Sequence, residues 1–362
     1  MIIQCAQAVV DGELLKDCWI VVENNLITEI QEGVQTSPDH TISGTLIPAF
    51  VDIHCHGGAG EYFSGNKPEN VIEFHRSHGT GTIVASLVSE PLEILKAQIK
   101  QLVPHYKSGA IAGIHLEGPY LAHARCGAHL PENLINPRWE DLSELIEIGE
   151  GSIVMVTIAP ELDGALECIG KLSDHGVIAA IGHTAAPLPT MQSAIDAGAE
   201  IVTHFTNGMV KPQDDRELTD ALLEEDQLSL ELILDGEHVS PENVHEILTV
   251  DPLRLILITD AMSAAGQPDG DYTIGILPVR VRNGVARLEN GSLAGSTLTM
   301  DRAFERLVNE YGVSLVDAVD ASSGNAARAL GMGDRGVIAV GAAADFLEWD
   351  GVKVLSNKTL SA

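Results

Sequence analysis

Between residues 47 and 311, short apolar runs alternate with amphipathic stretches, and the alternation recurs eight times. The apolar runs are Ile47–His56, Thr82–Val88, Ile111–Glu117, Ile153–Ala159, Val177–His183, Ile201–Phe205, Leu228–Asp235 and Leu253–Asp260. Helical periodicity follows each of them, over Pro68–His78, Leu92–Val103, Trp139–Ile148, Leu166–His175, Thr190–Ala197, Leu218–Glu225, Pro241–Leu248 and Asp301–Tyr311. Continuous apolar strands joined through helices are the mark of a parallel sheet, and eight such units make a TIM barrel. The eighth connection is long, and Tyr272–Leu288 within it reads as extra strands around an Asn283-Gly284 turn. The two ends of the chain have a different pattern. Gln7–Val10, Trp19–Val22 and Leu26–Ile30 are short strands separated by Asp11-Gly12 and Asn24-Asn25. Gly336–Gly341 and Asp345–Trp349 look the same, ahead of an Asp350-Gly351 turn. The expectation is an α/β fold, with a (β/α)8 barrel over residues 47–334 and a small β-sandwich built from 1–46 and 335–362.

Charge narrows the function classes. The 21 Lys and Arg stand against 52 Asp and Glu, a formal net charge of −31. Such a surface repels nucleic acid and anionic lipid, so neither is expected as a partner. An anionic substrate would have to be held by a few local cations. The five cysteines, at 5, 18, 55, 126 and 168, form no CxxC pair and leave an odd number, which points to a reducing compartment. The N-terminus has no basic region or small-residue cleavage site, and no apolar run reaches 18 residues. A cytoplasmic protein is expected.

The polar residues fall where a barrel does chemistry. The apolar runs end in or near His54 and His56, Glu117, His183, His204, Asp235 and Asp260. A barrel opens its active site at the C-terminal ends of its strands, so these side chains converge on one mouth. The strand period of two puts His54 and His56 on one face and Cys55 on the other, a pair suited to zinc or iron. Glu117 ends its strand before a Gly118-Pro119 turn, and His183 and His204 offer the neutral nitrogens that a metal-binding carboxylate needs. Asp260 is positioned to act as general base on water. No strand ends in Lys, so a carbamylated lysine has no candidate and Glu117 would take that place.

These motifs resemble the amidohydrolase superfamily. LEGP at 116–119, Arg125–His129, HFTNGM at 204–209, DGEHV at 235–239, TDAM at 259–262 and LAGSTLTM at 293–300 are together similar to its N-acetylglucosamine-6-phosphate deacetylases. Pro48-Ala49 departs from that family's usual Pro-Gly. The resemblance implies Glu117, His183 and His204 as principal metal ligands, with His54 and His56 able to hold a second ion. It implies one or two divalent ions, zinc first, with iron or another divalent ion as alternatives. Asp260 would be the catalytic acid/base and His129 the oxyanion donor. Ala128, Asn207, Gly208, Arg216, His238, Leu293, Ala294 and Gly295 would hold a phosphorylated amino sugar, and a homodimer is implied. Two other readings fit the residues: an amidohydrolase of a different amide, dihydroorotase-like or D-aminoacylase-like, and an inactive barrel kept for oligomerisation. The aperiodic segment Ala122–His129 is expected to be a mobile lid carrying an accessible Cys126.

Overall fold

The structure, a computed structural model, describes residues 1–355; residues 356–362 of the expected sandwich lie outside them. By contacts the chain forms two compact units, residues 1–52, 75–82 and 299 onward in one, and 53–74 and 83–298 in the other. Residues 299–334 therefore group with the chain ends, where the sequence reading puts them with the barrel.

The chain ends meet in a mixed six-stranded sheet. Its strand order is Val354–Leu355, Phe346–Trp349, His40–Pro48, Ile2–Val10, Glu13–Glu23, Leu26–Glu32. Only Ile2–Val10 and His40–Pro48 run parallel, because the chain between them forms the antiparallel strands Glu13–Glu23 and Leu26–Glu32 and then returns to the other side of Ile2–Val10. The two predicted hairpin turns are present. Asp11 and Gly12 (φ +50° and +78°) and Asn24 and Asn25 (φ +51° and +63°) take the left-handed pairs that match the twist of the flanking strands. Ile3, Cys5, Ala8, Cys18, Ile20, Ile27, Ile42, Leu46 and Phe346 bury one apolar face. Helix Met300–Asn309 belongs to the same unit, with Phe304 packed 5.4 Å from Phe50 and 5.3 Å from Trp349, ring centre to ring centre.

The second sheet has eight strands in sequence order: Phe50–Cys55, Thr80–Leu87, Gly113–Glu117, Ile153–Ile158, Ile178–Ile181, Ala199–Val202, Ser229–Ile233 and Leu255–Ile258. They are numbered one to eight below. The run Ile47–His56 is divided at Ala49: Ile47 and Pro48 finish a strand of the end sheet, and strand one starts at Phe50. Closure comes just beyond strand eight. Asp260 N–H donates to the His54 carbonyl (2.8 Å), and Cys55 bridges Ala261 in parallel register. The extra segment after strand eight is a three-stranded antiparallel sheet, Gly270–Ile274, Leu277–Arg282 and Val285–Leu288, turning at Asn283-Gly284. No helix among the described residues is long and apolar enough to cross a membrane.

Inside the barrel one layer is polar. The Cys55 N–H donates to Ser86 Oγ (3.0 Å), which pairs with His115 Nδ1 (3.0 Å); His115 Nε2 meets Thr157 Oγ1 (2.8 Å), which meets Thr203 Oγ1 (3.0 Å). Every member is buried, so each must find its partner within the layer. Burial drives the His115 imidazole well below its ordinary pKa, which makes it a neutral link in this chain. The layer fixes strands one to four and the end of strand six directly beneath the mouth.

Candidate active site

Six strand-end side chains meet over the barrel. Glu117 sits in the middle. Its Oε1 lies 3.0 Å from His204 Nε2, 3.1 Å from His183 Nε2 and 3.6 Å from His54 Nε2. Its Oε2 lies 3.1 Å from His56 Nε2 and 3.2 Å from His129 Nε2. Asp260 Oδ1 lies 3.5 Å from His56 Nε2 and 3.7 Å from His54 Nε2. Three of the strands deliver these groups by a sharp exit, because His183, His204 and Asp260 have φ of +47°, +30° and +46°. Non-glycine residues seldom occupy that region, and such strain collects where the surroundings over-determine a functional geometry. Gly208 and Gly295 allow the close packing that holds two of these residues. A Cβ on Gly208 would meet the His183 ring at 3.0 Å, and one on Gly295 would meet the Asp260 carbonyl at 2.9 Å.

The donor set fits a metal ion. His183 Nδ1 faces the Arg125 carbonyl (2.8 Å), which can only accept, so Nδ1 carries a proton. His54 Nδ1 meets the Glu231 carboxylate at 3.0 Å and donates in the same way. With those tautomers both Nε2 lone pairs point into the cluster, where His183 and His204 Nε2 are 3.1 Å apart and His54 and His56 Nε2 3.2 Å apart. Lone pairs at these separations, beside carboxylates, call for a cation between them. The field agrees. Burial pushes the His54 imidazole down, yet Glu231 and Glu117 outweigh it and leave the pKa well above its ordinary value. At Glu117 burial works upward, but His129 and His54 hold the carboxyl well below the usual range, so it is ionised.

His129 is set up differently. The Ser89 N–H donates to its Nδ1 (3.2 Å), which leaves the proton on Nε2, facing the pocket. Burial lowers its pKa, so it is a neutral donor rather than a ligand. His238 is oriented by Asp235, whose Oδ2 accepts from Nδ1 (2.7 Å) while Oδ1 accepts the Glu237 and His238 amides. Asp235, at the end of its run, therefore serves His238 and stands outside the cluster around Glu117.

A cavity of about 270 Å³ lies over this cluster. Ala128, Asn207, Gly208, His238, Leu293 and Gly295 line it together with His56, Glu117, His129, His183, His204 and Asp260. Ala294 is fully buried behind its two neighbours. Arg216 is not brought to the cavity. It is exposed, and its guanidinium reaches Asp220 and Glu246. The cation at the cavity wall is Lys211, which sequence reasoning missed. Lys211 Nζ donates to the Thr206 carbonyl (2.8 Å) and Asn207 Oδ1 (3.4 Å), and burial, with Arg125 nearby, lowers its pKa. The segment 122–129 is tied to strand five, with the Ala122 N–H donating to the His183 carbonyl (3.0 Å) and the Arg125 carbonyl taking the His183 proton. Cys126 within it is a half-buried free thiol.

A barrel with histidines, a glutamate and an aspartate at the ends of strands one, three, five, six and eight defines a class of metal-dependent hydrolases. The chain belongs to the amidohydrolase family, whose pattern it matches over residues 45–361. Among curated relatives, it is 35% identical over 327 residues to the N-acetylgalactosamine-6-phosphate deacetylase of Escherichia coli O157:H7, covering 88% of this chain and 86% of that one. It is 32% identical over 373 residues to the N-acetylglucosamine-6-phosphate deacetylase of Bacillus subtilis (strain 168), covering 92% of each. Among solved structures, one is a mutant N-acetyl-D-glucosamine-6-phosphate deacetylase from Mycobacterium smegmatis in complex with N-acetyl-D-glucosamine-6-phosphate. It superposes with a TM-score of 0.93 at 39% identity, over 98% of this chain and 96% of that one.

Proposed function

We propose that the protein hydrolyses the N-acetyl amide of N-acetylglucosamine 6-phosphate, releasing acetate and glucosamine 6-phosphate. The observation that carries this reading is the convergence of four imidazoles, Glu117 and Asp260 beneath a cavity whose wall holds His129 and Lys211. Glu117, His183 and His204 would hold the principal divalent ion, and His54 and His56, with Glu117 shared, a second. Zinc suits this mix of imidazole and carboxylate donors. When bound, the ion polarises the acetyl carbonyl and acidifies the attacking water.

The side chains divide the remaining work. Asp260 takes a proton from the water as it attacks the carbonyl carbon. His129 donates its Nε2–H to the oxygen on which negative charge develops. Asp260 then returns the proton to the amine nitrogen as the C–N bond breaks. An amide has a poor leaving group, so this second transfer is as necessary as the first. Lys211, Asn207 and His238 would receive the phosphate, a local cationic edge in a chain of net charge −31. We also propose a cytoplasmic homodimer, with Arg216 reaching a second subunit's pocket.

Acetate release should be measured on N-acetylglucosamine 6-phosphate, its galactose epimer and unphosphorylated N-acetylglucosamine. The phosphorylated glucose sugar is expected to exceed the unphosphorylated one by at least about 100-fold in kcat/KM, as the loss of charge-assisted contacts implies. Equal rates on the two would overturn the substrate assignment. The epimer belongs in the comparison because a curated relative carries that activity in its name.

Lys211→Met is expected to raise KM for the phosphorylated sugar by about 10- to 100-fold with kcat little changed, the scale of one hydrogen bond to a charged group. Arg216→Ala separates the two candidate cations. A comparable rise in KM would mean that Arg216 leaves Asp220 and Glu246 for a partner's pocket, and an unchanged KM would assign the phosphate to Lys211.

A further inference from the structure

We infer that Glu231 is a positioning residue that couples the two halves of the metal centre, because one of its carboxylate oxygens orients a ligand from each half. This rests on the metal-dependent reading above. Glu231 lies in the middle of strand seven and is completely buried. Its Oε2 accepts the His54 Nδ1 proton at 3.0 Å and the His204 backbone N–H at 3.0 Å. Its own backbone carbonyl accepts the next amide, Phe205 N–H, at 2.8 Å. One residue of strand seven thus holds the base of His54 on strand one and two successive amides of the turn that follows strand six.

Each contact has a consequence for the cluster. The bond to His54 puts the proton on Nδ1, which leaves Nε2 as a lone pair aimed at Glu117 and His56. The bonds to His204 and Phe205 hold the chain where His204 adopts φ +30°, and that conformation brings its Nε2 to 3.0 Å from Glu117 Oε1. His54 sits with His56 and Asp260, while His204 sits with Glu117 and His183. Glu231 touches both groups and holds no place in the cavity lining.

Barrel packing alone does not account for this side chain. A buried carboxylate is costly, and an apolar residue of similar volume is often neutral or stabilising in its place. The second oxygen, Oε1, has no hydrogen-bond partner among the described residues. A residue kept for packing would not carry that penalty, whereas an outer carboxylate on a metal-binding imidazole fixes its tautomer and strengthens it as a donor.

The test is Glu231→Gln, which keeps shape and an acceptor oxygen but loses the charge. Zinc affinity of each equivalent is read by competition with a chromogenic chelator, beside the melting temperature of metal-free and zinc-loaded protein. The positioning role predicts about a 10- to 100-fold loss of affinity in both equivalents, the usual scale for such outer partners. Metal-free Glu231→Gln should melt no lower than metal-free wild type, while the rise in Tm on adding zinc shrinks. An affinity within tenfold of wild type, or a metal-free form destabilised as much as the loaded one, would overturn the proposal. Should Glu231→Gln not fold, Glu231→Met is read in the same way, and failure of both to fold without zinc would make Glu231 a structural element and overturn it too. The zinc measurements involve no sugar, so their failure is distinct from a failure of wild-type protein to release acetate.

Discussion

Asp260→Asn should yield a folded protein that keeps the ion at Glu117, His183 and His204 but turns over at about 10⁴-fold or more below wild type. The size follows from two proton transfers depending on one oxygen. A single general base contributes roughly 10²- to 10⁴-fold. Here the amide nitrogen must also be protonated before it leaves, and Asn can neither accept the first proton nor return it. The backbone around Asp260 is held independently of its carboxylate. Its N–H donates to the His54 carbonyl (2.8 Å), and its carbonyl accepts the Ser296 N–H (2.7 Å). The left-handed φ of +46° is one that Asn adopts readily, so the substitution adds no strain. Substrate should bind with a KM near that of wild type. Turnover within tenfold of wild type at full metal content would show that another group moves the protons.

The parts of the site that were legible in the sequence share one property: they end an apolar run. His54, His56, Glu117, His183, His204 and Asp260 each break a stretch of Val, Ile, Leu and Ala, and a barrel turns that position into a place on the mouth. Groups that do not end a run were hidden. Glu231 lies inside Ser229–Ile233, where one polar residue among apolar ones reads as an outward-facing alternate. In a barrel strand covered on both faces there is no solvent side, so a mid-strand Glu must have a buried partner, and that was the available signal. His115, two residues before Glu117 and inside the same apolar run, was hidden for the same reason. The sequence reading took Arg216 as the phosphate cation and passed over Lys211, because the loop 206–215 has no periodicity to say which side chain turns inward. Nor could the pattern show that His183, His204 and Asp260 leave their strands through left-handed backbone, since such a φ is imposed by tertiary contacts. At the chain ends, Asp11-Gly12 and Asn24-Asn25 marked their turns because those residues tolerate positive φ locally. The assignment of residues 299–334 was set by packing such as Phe304 on Phe50 and Trp349, which no local signal carries.

Glu117→Gln should strip both metal positions, whereas His54→Asn with His56→Asn should strip only one. Glu117 lies within 3.6 Å of His54, His56, His183 and His204 together. Its charge, held by His129 and His54 against burial, lies where both positions can use it to compensate a divalent ion. An amide keeps one acceptor and places two N–H donors among imidazole lone pairs, so neither ion retains a complete set of ligands. After dialysis the variant is expected to hold little metal by elemental analysis, with turnover down about 10⁴-fold, the scale of losing one member of a catalytic unit. The double His variant leaves Glu117, His183 and His204, three protein ligands with a position open to water, which is a complete catalytic zinc site. It should retain about one equivalent of metal. Complete loss in the double variant would reverse the order of the two positions. Full retention in Glu117→Gln would mean that the imidazoles bind without the central carboxylate, and the shared-ligand arrangement would have to be abandoned.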